Sequence, residues 1–541
     1  MTGRRRRRAE RPTRGAVVTG AVTAGVAGAA ALGLLLAGCG GDGQDTGREQ
    51  AADPSSSAPA SASPSPSRSY ALSKPPRAVP AVREHTAARG PGWRPAEDSR
   101  VLVRDDGLAD EGRLLAGELG IDYGGDADAR AGDVELDVAG GGPAESYTMT
   151  VRDGRVRITG ADEAGAFYGT RTVKQSVRAQ GRVPEGTVKD RPAKPQRGLM
   201  LDNARKPFTA RWIEDRLREA ADLKLNQFGL HFSDDQAFRI ESDDHPEIVS
   251  EDALSKDEVR RILRLADSLH ITVVPEIDSP GHLGAVIDAY PDLQLRDASG
   301  RATRGAIDIG NPASARLIDS LLREYAELFP GRSWHLGGDE YQALVKSDPE
   351  ASYPRLAALA RERYGADATV QDLATAWLND RQETVEKAGK TTVKVWNDGL
   401  HPDGAVRPNR DREVEYWTGK EIGAREPREY LDDDWKVVNL NDEYLYYVLG
   451  EPNTFRYPTG RRIYEEWSPL VLRGTQPVPA RYDDQILGGV FAIWCDQAEA
   501  QTPEQIATAI RLPLAALAQR VWDTERPLTW DQFAARARAV R

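Results

Sequence analysis

The 541-residue chain is 40% hydrophobic and 29% charged, with a formal net charge of −12. This composition excludes a disordered protein and one minimal domain, and it leads us to expect two globular domains; the acidic balance disfavours nucleic acid, whose phosphates demand surplus basic side chains. Two cysteines, Cys39 and Cys495, exclude a disulfide framework and paired-cysteine metal clusters.

The amino terminus reads as an export signal. Arg4 to Arg8 form a basic block, and residues 16–36 form an uncharged, mostly apolar run ending in Leu36-Ala37-Gly38-Cys39. Twenty-one such residues are also long enough for a retained transmembrane helix. The small residues before Cys39 resemble the lipobox of bacterial lipoproteins, so residues 1–39 are expected to be a signal peptide and lipobox, with Cys39 lipidated. Acyl chains there would anchor the protein in the membrane. Residues 40–76, rich in Gly, Asp, Ser, Ala and Pro, cannot bury enough apolar surface to fold and read as a disordered tether. The expected location is the outer face of the cytoplasmic membrane.

Residues 77–190 read as a small α+β domain. Val134-Glu135-Leu136-Asp137-Val138 and Tyr147-Thr148-Met149-Thr150-Val151 alternate with the period of half-buried strands. Asp153-Gly154 signals a hairpin, and helical patterns cover residues 108–119 and 161–180. No catalytic pattern stands out here.

Residues 191–541 change rhythm to short apolar strands separated by amphipathic helices, as in a parallel sheet with crossover helices. Strands are expected at 198–201, 227–232, 272–277, 333–336, 392–396, 414–417, 436–440 and 487–494, with helices at 210–223, 256–269, 312–328 and 372–387. Eight strands close a (β/α)8 TIM barrel. An open doubly wound sheet is the alternative, because strand order is invisible in sequence.

A barrel places its active site at the carboxyl ends of the strands. The residues there are Asp202; Ser233-Asp234-Asp235; Asp278 and His282; Asp339-Glu340; Trp396; Trp417; Tyr444; and Trp494-Cys495-Asp496. Converging aromatics and carboxylates suit a sugar, whose C–H faces pack on indoles while its hydroxyls need fixed acceptors. A glycine-rich phosphate loop with its lysine is missing from this set. Asp-Glu occurs five times in the chain, and position 339 differs only by ending an apolar strand after two glycines. Adjacent carboxylates can hardly flank one bond as acid and nucleophile, about 5–5.5 Å apart, so they should have different tasks.

Four ordered motifs are recognisable: Arg197-Gly198-Leu199-Met200-Leu201-Asp202, His231-Phe232-Ser233-Asp234-Asp235, Pro275-Glu276-Ile277-Asp278-Ser279-Pro280-Gly281-His282 and His335-Leu336-Gly337-Gly338-Asp339-Glu340. Together they resemble glycoside hydrolase family 20, the β-N-acetylhexosaminidases. Tyr147 to Val151 and Ala164-Gly165-Ala166-Phe167-Tyr168-Gly169 look like that family's non-catalytic N-terminal domain. The resemblance implies an exo-acting enzyme that removes terminal β-linked GlcNAc or GalNAc with retention, the substrate's own acetamido group serving as nucleophile. It makes Glu340 the general acid/base, with a raised pKa, and Asp339 the partner of the acetamido group. His282 and Asp234 would form a relay behind Glu340, and Arg197 would bind hydroxyls at the non-reducing end, a barrel-bottom ion pair being the alternative for it. Trp396, Trp417 and Trp494 would wall the acetamido pocket, with Tyr444 donating to its carbonyl in preference to Tyr446.

Two features depart from the family pattern. Asp496 stands where glutamate is usual, and Tyr444-Leu445-Tyr446 replaces Tyr-Leu-Asp or Tyr-Leu-Asn. Asn203-Ala204-Arg205-Lys206 resembles the branch of streptococcal surface hexosaminidases and lacto-N-biosidases. Release of a disaccharide, or a non-catalytic sugar-binding lipoprotein, therefore stay open as alternatives. The expected partners are a glycan with terminal β-HexNAc and, through the anchor, a membrane. No metal or organic cofactor is expected, and Cys495 should line the core rather than act as a nucleophile.

Overall fold

The computed structural model describes residues 69–541 apart from 402, 421–423 and 452–454. The expected signal peptide, Cys39 and most of the expected tether lie outside the described residues, among which no helix is long and apolar enough to cross a membrane.

The small domain is one seven-stranded sheet ordered β1-β7-β5-β6-β4-β2-β3. Its strands are β1 (Glu84–Ala87), β2 (Arg100–Val103), β3 (Asp122–Gly125), β4 (Val134–Val138), β5 (Tyr147–Arg152), β6 (Arg155–Gly160) and β7 (Gly186–Asp190). Strands β5 and β6 pair antiparallel around Asp153-Gly154, whose φ values of 53° and 70° are both positive, as a two-residue type I′ turn requires. Helices Ala109–Leu119 and Glu163–Gln180 pack on the sheet. The longer one starts where the Asp162 side chain accepts from the Gly165 N–H and stops at left-handed Gly181.

The second domain is a closed parallel barrel. Its staves are β8 (Gln196–Asp202), β9 (Gln227–His231), β10 (Thr272–Glu276), β13 (Ser333–His335), β14 (Thr392–Trp396), β15 (Arg412–Tyr416), β16 (Lys436–Asn439) and β18 (Ile486–Trp494). A small hairpin of β11 (Gln294–Arg296) and β12 (Ala302–Ile307) interrupts the run, and β17 (Tyr446–Val448) lies along the end of β18. Strand β18 pairs with both β8 and β16, which closes the ring and rules out the open sheet. All eight expected strands are staves. Every residue of β8 is buried, as befits a parallel strand covered on both faces.

Buried charge joins the two domains. The Arg197 guanidinium, 0% exposed at the amino end of β8, donates to Glu145 Oε2 at 2.8 Å and Oε1 at 3.0 Å and to the Lys194 and Lys224 carbonyls at 2.9 Å each. Nearby, Lys224 Nζ meets Asp190 Oδ2 at 3.0 Å and the Trp522 indole donates to Asp190 Oδ1 at 2.9 Å. This corrects the expectation that Arg197 binds substrate hydroxyls. It opens its strand, so it lies at the mouth opposite the one where sites form, and its donors are already engaged.

Candidate active site

At the carboxyl end of β13 the chain turns through Gly337 and Gly338, with φ of 69° and 100°. A Cβ on Gly337 would fall 1.8 Å from Asp278 Oδ1, so glycine there is what admits the Asp278 carboxylate, which accepts from the Gly338 N–H at 2.7 Å. Glu340 itself has φ of 46° and His282 φ of 52°, left-handed backbone that non-glycine residues hold only when the surroundings impose it. The Glu340 N–H donates to Asp398 Oδ2 at 3.0 Å. As a result both adjacent carboxylates reach one imidazole: His282 Nε2 lies 3.6 Å from Asp339 Oδ2 and 3.4 Å from Glu340 Oε2.

The side chains expected to form a relay behind Glu340 lie next to one another. His282 Nδ1 is 3.2 Å from Asp234 Oδ1, and Asp234 Oδ2 is 2.8 Å from both His231 Nε2 and Arg205 Nη2. Burial would lower the His282 imidazole, but the Asp234 and Asp339 charges outweigh it and hold it well above its ordinary value. Glu340 departs from its expected raised value. The His282 imidazole, 3.4 Å away, holds its carboxyl below the usual range against the opposing effect of burial, so in the free site the shared proton sits on the imidazole. Burial and the Asp278 charge push Asp339 upward, and burial raises Asp278 to about 7. Asp278, His282 and Asp339 present ligand atoms within 4.8 Å of one another, the spacing a cation would need. The His282 imidazolium already supplies positive charge among them.

Aromatic side chains form the wall. Trp396, Trp417, Trp494 and Tyr446 share one buried cluster with Met200 and Val438. Tyr446 stacks on Trp417 at 5.7 Å and stands 5.9 Å from Trp494. The Trp417 indole donates to Asp398 Oδ1 at 2.9 Å, whereas the buried Trp494 Nε1 has no hydrogen-bond partner among the described residues. Tyr444 is not in this wall: its hydroxyl donates to Glu466 at 3.2 Å and Arg462 covers its ring at 4.2 Å. The tyrosine at the pocket is thus Tyr446, a correction to the choice of Tyr444. Arg205 is a member of this cluster that the sequence-based set omits. Besides Asp234 it contacts Asp202 Oδ2 at 3.1 Å and Asp496 Oδ1 at 3.7 Å, and it lies over Trp494. Its signal was a lone arginine three residues beyond Asp202. Cys495 is fully buried, its N–H donates to Asp202 at 3.0 Å, and burial pushes its thiol far up, which suits a core residue.

Adjacent acids, a buried histidine and an indole cage thus meet at the carboxyl mouth of a closed barrel. The chain matches the catalytic-domain model of glycosyl hydrolase family 20 over residues 195–525 and the family's domain 2 model over residues 76–191, and it belongs to that family. It is 30% identical over 471 residues to a lacto-N-biosidase of Bifidobacterium bifidum, covering 85% of this chain and 41% of that protein. Against a β-hexosaminidase of Vibrio furnissii it is 26% identical over 430 residues, 71% of this chain and 66% of the relative. The chain therefore spans less than two thirds of these relatives' length. Among solved structures, the exo β-N-acetylglucosaminidase of Vibrio harveyi in complex with N-acetylglucosamine shares the fold with a TM-score of 0.72 at 20% identity, covering 88% of this chain and 79% of that one. A Streptomyces plicatus β-hexosaminidase aligns with a TM-score of 0.70 at 24% identity, covering 88% and 95%.

Proposed function

We propose that the protein is an exo-acting β-N-acetylhexosaminidase that hydrolyses terminal non-reducing β-linked GlcNAc or GalNAc with retention through substrate assistance. The observation that carries this is the meeting of Asp339 and Glu340 on one nitrogen of His282. Two acids gathered on one imidazole do not flank a glycosidic bond as acid and nucleophile, so the nucleophile comes with the sugar. The acetamido oxygen attacks the anomeric carbon while the proton carried on His282 passes through Glu340 to the departing oxygen. Asp339 accepts from the acetamido N–H and offsets the charge of the cyclic intermediate. Glu340 then takes a proton from the water that opens the intermediate, and the Trp396, Trp417 and Trp494 cage excludes other water.

Turnover of a chromogenic N-acetylglucosaminide, with plain glucosides nearly inert, is the expected result. Asp339→Asn should cost about 10²-fold or more in kcat whatever the leaving group, while Glu340→Gln should spare activated aryl glycosides. Comparable cleavage of glucosides would overturn substrate assistance.

Release of a disaccharide is the second reading. It is supported by the likeness to the lacto-N-biosidase and by the half-exposed Asp496 side chain, 49% accessible, which leaves the non-reducing end open. A lacto-N-biose glycoside separates the two. No turnover of either substrate would favour the sugar-binding alternative. The lipobox-like sequence at Cys39 supports an anchored protein on the outer face of the cytoplasmic membrane.

A further inference from the structure

Beneath the mouth, the interior of the barrel carries a column of charge. Glu276 closes β10 and is 3% exposed. Its Oε1 accepts from the Trp396 indole at 2.7 Å and lies 3.2 Å from His335 Nδ1, while its Oε2 lies 3.0 Å from His231 Nδ1. His231 passes the connection to Asp234, and Asp234 to His282. Deeper, His335 Nε2 is 3.7 Å from Glu415, whose other oxygen meets the fully buried Lys394 Nζ at 2.7 Å; that amine also reaches Gln196 at 2.8 Å. Burial would lower His231, yet the Glu276 and Asp234 carboxylates push it up to about 10, and His335 and His231 hold Glu276 below the carboxylate range.

Apolar residues of equal volume would fill this space at lower cost, since removing ions from water costs several kcal/mol each. What hydrocarbon could not do is fix ring orientations at two distant places from one point. On one side of Glu276 stands the indole that walls the acetamido pocket; on the other, through the ion-paired His231, stands the aspartate that orients His282.

We propose that Glu276 is a positioning residue that couples the Trp396 wall to the Asp234–His282–Glu340 arm, so that seating the acetamido group and aligning the acid are one event. This rests on the hexosaminidase reading. The test is a double-mutant cycle in kcat/KM on an N-acetylglucosaminide with a poor leaving group, using Trp396→Phe, which keeps a ring but removes the donor, and Asp234→Asn. The combined loss should fall short of the product of the single losses by about tenfold, although the two side chains do not touch. In a Glu276→Gln background the losses should multiply. Glu276→Gln alone should cost roughly 10–100-fold on that substrate, as removal of a partner orienting a functional histidine does, and distinctly less on an activated aryl glycoside. A structural role alone would lower both substrates together. Losses that simply multiply in the otherwise wild-type chain would overturn the proposal, and this arm decides even where Glu276→Gln fails to fold. A wild-type protein inert on both N-acetylglucosaminide and lacto-N-biose glycosides would instead overturn the hexosaminidase reading, and this inference with it.

Discussion

Tyr444 and Tyr446 show how fine the grain of the site is. Residues two apart share a face only within a strand. Tyr444 precedes β17 in a turn, so its direction does not follow from that of Tyr446, and sequence alone offered no means of choosing between them. Tyr446→Phe should lower kcat/KM on an N-acetylglucosaminide about 10²-fold, as loss of a preorganised donor does. Tyr444→Phe should stay near wild type, and the reverse order in steady-state assays would restore the first choice. Asp278 supports a second prediction at this scale. Burial raises its carboxyl to about 7. A group raised on folding contributes stability that is complete below its unfolded value and is lost as pH climbs to the folded one, here from about pH 4 to about pH 7. Asp278→Asn keeps an acceptor for the Gly338 N–H and removes the titration. Its melting temperature should therefore fall less than that of wild type between pH 5 and pH 8, by roughly 2–5 °C. An unchanged difference by calorimetry would contradict the raised value.

Among elements, the eight staves were legible because each is a short apolar run bounded by polar or glycine-containing turns, a pattern that a parallel strand buried on both faces imposes. Their carboxyl ends then gave Asp234, His282, Asp339, Glu340 and the three tryptophans, which the structure brings together. Direction along an element was harder to read. Arg197 stands near the start of β8 and Arg205 three residues past its end, and a seven-residue strand separates its ends by roughly 20 Å. The arginine inside the family-like motif drew the assignment, yet the one past the strand reaches the site. The opposing protonation of Glu340 was equally hidden, because it depends on a histidine 58 residues away in sequence. Replacing each arginine separates their tasks. Arg197→Met should destabilise the fold by about 3 kcal/mol in urea, since it strands Glu145, with KM of the folded enzyme unchanged. Arg205→Lys keeps the charge but loses the fork that meets Asp202, Asp234 and Asp496, so kcat/KM should drop about tenfold or more with little change in stability. A shift of KM in Arg197→Met would reopen its role in binding.

For the whole molecule, the order of modules followed from shifts in composition and period, whereas the means of joining them did not, because Glu145 and Asp190 are unremarkable acids in a chain with 84 acidic residues. On the lipoprotein reading, Cys39→Ala should move the protein from the membrane fraction to the medium or the soluble fraction with specific activity unaltered; continued sedimentation with membranes would point to a retained helix. The clamp between the domains reaches further than stability. Arg197 belongs to the barrel but its carboxylate belongs to the small domain, and Lys224 with Asp190 repeats the arrangement. A gene rearrangement that carried off the barrel without its companion would deliver a protein with two cations uncovered at its base. Separating the two modules should therefore cost the barrel stability, although the candidate site lies wholly within it.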